Sequence, residues 1–361
     1  MTVLLNSFLI CVVLICYLER LAPRLGLLDI PNGRKQHDGA IPVVGGIAIY
    51  VAFAFSILLV WPVEVSPIDA SLAPFFCGIT LLVAIGIFDD RQGMDARTKL
   101  LGQTAAALIM IVPDQSAVIG HLGDLFGHGD ILLEGAALPL TVLFVVASIN
   151  AFNMIDGLDG VAGGVAAAGL LWLAAIAALA GRAELVTLAL ILVCAVAGFL
   201  LFNLRHPWRS RAEVFLGDAG SMMIGAILAF LAVRLSQGPE DIVSTPAALL
   251  WTMALPGIDM ASVIIRRTVK RRSPFAADRS HLHHVLLDCG FQPRSTAFIL
   301  IALATLMGGC GTLGLVLKIP DYVMLWGLAL PMAAHTYFVV WGWKGVRVTG
   351  QGLIGLRERV S

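Results

Sequence analysis

The sequence is short of charge. Asp, Glu, Lys and Arg make up 13% of its 361 residues, about half of the roughly 25% found in soluble globular chains. A water-soluble core wrapped in a charged shell is therefore excluded. Net charge is lacking too, because 24 basic and 24 acidic side chains cancel. That leaves no basic excess of the kind nucleic-acid binding uses, so no nucleic-acid partner is expected. The six cysteines are scattered, none at C-x-x-C spacing and most in or beside apolar runs. Neither a structural zinc site nor a disulfide framework is expected from them. No secretory leader is expected either. No basic stretch precedes the run 3–18 and no small-residue cleavage site follows it, so this run is expected to be a retained first span.

What the chain does have is apolar length. It is 58% hydrophobic, with a mean hydropathy of +0.90. A spanning helix takes about 20 mostly apolar residues. About eleven such segments can be placed, near 2–19, 42–61, 72–88, 99–113, 131–149, 161–180, 185–203, 217–236, 244–265, 297–317 and 322–341. The implied fold is an all-α polytopic integral membrane protein. It forms a single transmembrane domain over 1–345, with cytoplasmic loops near 20–41, 89–99, 150–160, 204–216 and 266–296, and a cytoplasmic tail over 346–361. Lys and Arg in short loops set the orientation. With the N-terminus placed outside, every Lys and Arg except Arg182, Arg234 and Lys318 falls on the inner side. A periplasmic N-terminus and a cytoplasmic C-terminus follow. One missing helix would invert every later loop, so the same bias supports the count.

The inner loops also hold the residues with chemical reach. In FDDRQGMDARTK (88–99), Asp89 and Asp90 close an apolar helix where it meets water, and carboxylates beside a membrane segment are costly and usually functional. Lys99 is suited to bind phosphate as a point charge. In NAFNMIDGLDGVAGG (150–164), Asn153, Asp156 and Asp159 recur every three residues. On a helical turn they would share a face, and their oxygens suit a hard ion such as Mg²⁺. In FLGDAGS (215–221), Asp218 sits among small residues that permit close helix packing; it is either a metal ligand or a helix cap. In RRTVKRRSPFAADRSHLHH (266–284), Arg266, Arg267 and Arg279 offer forked phosphate contacts. His281, His283 and His284 offer proton exchange near neutral pH. Topogenic charge explains the Lys and Arg of that loop but not three histidines in four residues. The fifth loop, PNGRKQHDGAIPVVGG (31–46), begins with a turn signal and adds Arg34, Lys35 and His37. Carboxylates, an amide, a lysine, arginines and histidines gathered at one membrane face are the inventory of phosphoryl transfer between a lipidic and a soluble substrate.

These five motifs, in this order, resemble the polyprenyl-phosphate N-acetylhexosamine-1-phosphate transferases of glycosyltransferase family 4. The resemblance covers about residues 1 to 345. It implies transfer of N-acetylglucosamine 1-phosphate from UDP-N-acetylglucosamine to undecaprenyl phosphate. The products would be undecaprenyl-diphospho-N-acetylglucosamine and UMP, with Mg²⁺ or Mn²⁺ as cofactor. This would be the first membrane step of O-antigen or another surface polysaccharide, at a bacterial inner membrane. By motif, Asn153 and Asp218 would hold the metal, Asp89 and Asp90 would sit at the lipid phosphate, and Lys99 would bind the diphosphate. Asp156 and Asp159 would be the essential acidic pair near nucleotide and metal. Arg279, His281 and His283 would recognise sugar and phosphate, with Arg266, Arg267 and His284 nearby. A homodimer is implied by resemblance alone. The third acid that many relatives carry after the pair is Gly93 here, so Asp95 is left out of the catalytic set. MIDGLDG and HLHH depart from the strings expected for a muramoyl-pentapeptide substrate. The competing expectations are another UDP-N-acetylhexosamine and, from a different class, an ion-coupled transporter.

Overall fold

Backbone amides in a long apolar run have no water to bond, so each run closes its own hydrogen bonds as a helix. The computed structural model describes residues 2–30, 39–60, 72–237, 245–269, 271, 281–340, 346–349 and 352–355. The first eight helices are α1 (Thr2–Leu25), α2 (Gly45–Val60), α3 (Leu72–Gln92), α4 (Ala96–Ile111), α5 (Ala137–Ile155), α6 (Val161–Leu179), α7 (Ala183–Asn203) and α8 (Gly217–Ser236). They are followed by α9 (Pro246–Leu250), α10 (Ala254–Val269), α11 (Leu282–Asp288), α12 (Pro293–Val316), α13 (Asp321–Gly327) and α14 (Ala329–Val340). A short antiparallel pair, β1 (Leu28–Asp29) and β2 (Ile41–Pro42), links α1 to α2, with Leu28 opposite Pro42. Each expected apolar segment is helical over most of its described residues. Among the described residues, nine helical stretches are long and apolar enough to cross a membrane. The helices α2 and α4 are shorter, at 16 residues each.

Two segments expected to be continuous are broken. Near 244–265 the chain forms α9, a 3₁₀ turn over Trp251–Met253, and α10. Near 322–341 it breaks between α13 and α14. A proline inside a helix removes an N–H and clashes with the carbonyl four residues back. Pro256 meets Thr252 in this way, and Pro331 meets Gly327, so both breaks fall where the prolines require them. The tail also departs from an all-α reading, because β3 (Val346–Thr349) and β4 (Gly352–Gly355) pair as an antiparallel hairpin.

Contacts sort the connections into two ends of the bundle. At one end, Phe215 N–H donates to Pro42 O and Gly45 N–H to Phe215 O, joining the α1–α2 and α7–α8 connections. The α3–α4 and α5–α6 connections reach the same end through Asp90, Lys99 and Asn153. At the other end, Gly120 N–H donates to Gln237 Oε1 after α8, and Asp124 N–H donates to Asp321 Oδ2 at the start of α13. Arg182, before α7, donates to Arg234 O in α8. This is the same partition of loops that the Lys/Arg bias used.

The helix α8 runs through the centre, its whole spanning window buried, as expected of a helix apolar on all sides. Its small first-turn residues let neighbours come close. A Cβ added at Gly46 of α2 would lie 2.2 Å from Gly220 N, and one at Gly86 of α3 would lie 2.3 Å from Ala219 Cα. The start of α8, which carries Asp218, is therefore gripped between α2 and α3.

Candidate active site

The first site residues come from the end of α3. Asp89 Oδ1 accepts from Met94 N–H at 2.6 Å, and its Oδ2 lies 2.8 Å from Lys99 Nζ. Asp90 faces the other way. Its Oδ1 accepts from Asp218 N–H at 3.0 Å and its Oδ2 from Ala219 N–H at 3.4 Å. These are two of the unpaired amides that open a helix, and a carboxylate there also meets the positive end of the helix dipole. Gly217 supplies the turn before α8 with φ +71°, a left-handed conformation that favours glycine.

Lys99 sits at the centre. Its ammonium reaches Asp89 and Asp218, each at 2.8 Å, and Asn153 Oδ1 at 3.3 Å. Asn153 Nδ2 donates to Asp218 Oδ1 at 2.5 Å and to Ser221 Oγ at 2.9 Å. Asp89, Lys99, Asn153 and Asp218 thus converge from α3, α4, α5 and α8. Asp95 is a helix cap, its Oδ1 accepting from the backbone N–H groups of Arg97 and Thr98. Its carboxyl is held below the ordinary range, chiefly by the Thr98 hydroxyl.

The shared helical face expected for Asn153, Asp156 and Asp159 does not form. The helix α5 ends at Ile155, and Asp156 turns away with ψ 55°. Gly157 follows at once and Gly160 takes φ +81° before α6, so the chain leaves the helical path between the two helices. Asp159 instead takes Arg205 Nε at 2.7 Å and Ala212 N–H at 3.2 Å, tying the α5–α6 loop to the α7–α8 loop. Asp156 still faces the cluster. Its carboxyl is pushed well above the usual range by desolvation first, and then by Asp218, Asp90 and Asp159.

The histidines meet the same loop. His281 precedes α11, and its ring stacks on His283 with centroids 5.6 Å apart. His283 is 2% exposed and, among the described residues, has no hydrogen-bond partner on either ring nitrogen. A Cβ added at Gly157 would lie 2.3 Å from His283 Nε2, so Gly157 is required for this approach. Burial, then His284 and His281, push the His283 imidazole down to about 3, so it is neutral at pH 7. His284 packs on His283 at 4.2 Å. Arg266 and Arg267 lie in the last turn of α10, with Arg267 buried. Arg279, and Arg34, Lys35 and His37 of the 31–46 loop, lie outside the described residues.

Two features were not singled out in the sequence. Asp259, inside α10, is 2% exposed and bonds both His281 and His335. A carboxylate in the ninth apolar segment was the available signal. The second is an open apolar groove of about 250 Å³ between α5, α10 and the α13–α14 break, lined by Phe144, Ala151, Phe152, Ala254, Ile258 and Leu328.

The fold and this cluster define a polytopic membrane protein with a polar site at one end of its helix bundle. The family model for glycosyl transferase family 4 matches residues 72–236, the stretch that carries Asp89 to Asp218. The undecaprenyl-phosphate alpha-N-acetylglucosaminyl 1-phosphate transferase of Escherichia coli O157:H7 is 34% identical over 348 residues, covering 96% of this chain and 92% of its own length. The protein of the same name from Yersinia pestis is 32% identical, covering 96% and 93%. That from Pasteurella multocida is 30% identical, covering 95% and 94%. The chain belongs to glycosyl transferase family 4.

Proposed function

We propose that this chain transfers N-acetylglucosamine 1-phosphate from UDP-N-acetylglucosamine to undecaprenyl phosphate, releasing UMP, at the cytoplasmic face of a bacterial inner membrane. The observation that carries this reading is the Lys99 centre, where Lys99 is held among Asp89, Asn153 and Asp218 at the end of a bundle of apolar helices. A lipid phosphate at the membrane face would reach this cluster. The relatives named for this transfer share the chain along almost its whole length. They lend nothing to an ion-coupled transporter.

The donor set suits a divalent ion. Asp218 and Asn153 each present a hard side-chain oxygen to Lys99, and Asn153 Nδ2 donates to Asp218 Oδ1. Among the described residues, no group of three or more His, Cys, Asp or Glu is arranged to hold a metal. Mg²⁺ commonly takes one or two protein carboxylates and completes its shell with substrate phosphates and water, which agrees with so small a protein share. Asp218 and Asn153 would hold it, and when bound it neutralises charge on the diphosphate.

The other residues have separate tasks. Lys99 places a positive charge against phosphate oxygens. The lipid phosphate is the nucleophile and attacks the β-phosphorus directly. Its second pKa is about 6, so at pH 7 it is mostly ionised and has little need of a base. Asp90, bonded to α8, then serves to hold Asp218 in place. Asp156 lies between the metal residues and the histidines, where the nucleotide sugar would sit. Arg266, Arg267 and Arg279 offset its phosphate charge.

The test is direct. Purified protein in nanodiscs, given Mg²⁺, undecaprenyl phosphate and radiolabelled UDP-N-acetylglucosamine, should yield lipid-linked label and one UMP per product. No UMP release would overturn the reading. Preference for UDP-N-acetylgalactosamine in the same assay would replace the sugar and keep the reaction.

A further inference from the structure

The polar network around Asp259 lies within apolar helices, away from the Lys99 centre. Asp259 of α10 accepts three hydrogen bonds. Its Oδ1 takes Leu282 N–H at 2.9 Å and His335 Nε2–H at 3.1 Å, and its Oδ2 takes His281 Nδ1–H at 2.7 Å. His335 Nδ1 lies 3.0 Å from Ser262 Oγ, which lies 3.0 Å from Thr336 Oγ1. Asp259, Ser262, His281 and His335 are all between 2% and 7% exposed.

The directions of these bonds follow from the donors available. Leu282 N–H can only donate, so Asp259 is an acceptor. A His335 that donates its Nε2 proton to Asp259 can accept from Ser262 at Nδ1. Ser262 then accepts from Thr336. The chain of donors runs from Thr336 to Ser262 to His335 to Asp259. His281 meets the same carboxylate from the opposite side, which holds a proton on Nδ1 and leaves Nε2 as the ring nitrogen turned from Asp259.

An apolar set of similar volume would pack these three helices at less desolvation cost, so helix packing alone does not account for the network. It ends on one imidazole, and that imidazole stacks on His283, whose unpartnered ring lies against Gly157 beside Asp156.

We propose that Asp259 and His335 are positioning residues that fix the tautomer and orientation of His281, so that His281 Nε2 faces the nucleotide sugar as a hydrogen-bond acceptor. The groups it suits are donors, namely a sugar hydroxyl or the N-acetyl N–H. The proposal rests on the transferase reading above. The two fail separately, because native protein without UMP release overturns that reading, whereas active protein indifferent to Asp259 overturns this one.

The experiment is a double-mutant cycle on the full chain in nanodiscs, with UMP release as readout. Asp259→Asn keeps the shape but brings an N–H₂ against His281 or His335. It should lower kcat/KM for UDP-N-acetylglucosamine on the order of 10- to 100-fold. The KM for undecaprenyl phosphate should stay within about twofold and the melting temperature close to native. In a His281→Ala background, Asp259→Asn should cost nothing further, since its effect runs through that ring. Multiplying losses, or an Asp259→Asn enzyme within twofold of native, would overturn the proposal. His335→Gln gives a second route should Asp259→Asn fail to fold. It keeps a donor to Asp259 but loses the Ser262 link, and should cost about 3- to 10-fold, again only while His281 is present. An equal loss without His281 would mark His335 as merely structural.

Discussion

Asp90 bonds the backbone amides of Asp218 and Ala219 at 3.0 and 3.4 Å. A carboxylate on α3 thus holds the first turn of α8, and with it the side chain proposed to bind metal. Asp90→Asn retains one acceptor oxygen and loses the charge that favours the helix N-terminus. It should raise the Mg²⁺ concentration needed for half-maximal UMP release by about tenfold, an effect of the size seen when partners of metal ligands are changed. An Asp90→Asn enzyme with native Mg²⁺ dependence and a depressed kcat would instead make Asp90 a participant in the chemistry.

Lys99 bridges two carboxylates, Asp89 and Asp218, each 2.8 Å away. Lys99→Met removes the cation and leaves like charges facing one another. Turnover should fall on the order of 100-fold or more, as for loss of a group that stabilises developing charge. Lys99→Arg should recover little, because a planar fork does not replace a compact ammonium within a three-oxygen cage. Steady-state UMP release for both variants measures this, and near-native activity of Lys99→Met would refute it.

Gly86 meets the α8 backbone, where a Cβ would come within 2.3 Å of Ala219 Cα. Backbone cannot step aside as a flexible side chain does, so Gly86→Ala must push α3 from α8. Overpacking of this kind costs about 1–3 kcal/mol. The displacement also moves Asp89 and Asp90 relative to Asp218. Both a lower melting temperature and a loss of turnover in the folded fraction are expected. Gly93→Ala, with nothing within 4 Å of the added carbon but φ +73°, should lower stability by about 1 kcal/mol through backbone strain alone and spare activity.

His283 predicts an acid-sensitive stability. Burial depresses its folded value to about 3, against an ordinary value of about 6.5. Between these values the unfolded chain binds a proton that the folded chain refuses. The neutral ring therefore stabilises the fold fully above about pH 6.5, and that contribution is lost as pH falls toward 3, by about 1.4 kcal/mol per pH unit. Asp156, pushed upward, has the opposite slope above its ordinary range, so the native chain reports their sum. His283→Leu removes one contributor. The melting temperature of the native protein should fall more steeply from pH 6.5 to 5 than that of His283→Leu. Parallel curves would show that His283 is not the sensitive group.

Much of the site was legible because its residues are dear to keep in a membrane. Asp89, Lys99, Asn153 and Asp218 stood out as polar groups at the ends of apolar runs, and the structure brings all four within hydrogen-bond reach. Asp156 and Asp159 were equally visible, but their shared face was inferred from a helical period that the glycines end. Asp259 was hidden for the contrary reason. It lies inside an apolar segment, and its partners His281 and His335 are 22 and 76 residues away in sequence.

The sequence by itself determined that the chain is a bundle of apolar helices, which of its connections share an end, and which polar motifs stand at that end. Each of these depends on the transfer free energy of one segment or the charge of one loop, quantities that add residue by residue. Tertiary structure alone decided that Asp90 serves α8, that Asp159 is spent on Arg205, and that Asp259 sets the proton on His281. Those outcomes are choices among acceptors for a limited number of donors, and only the packing of separate helices brings the competitors together.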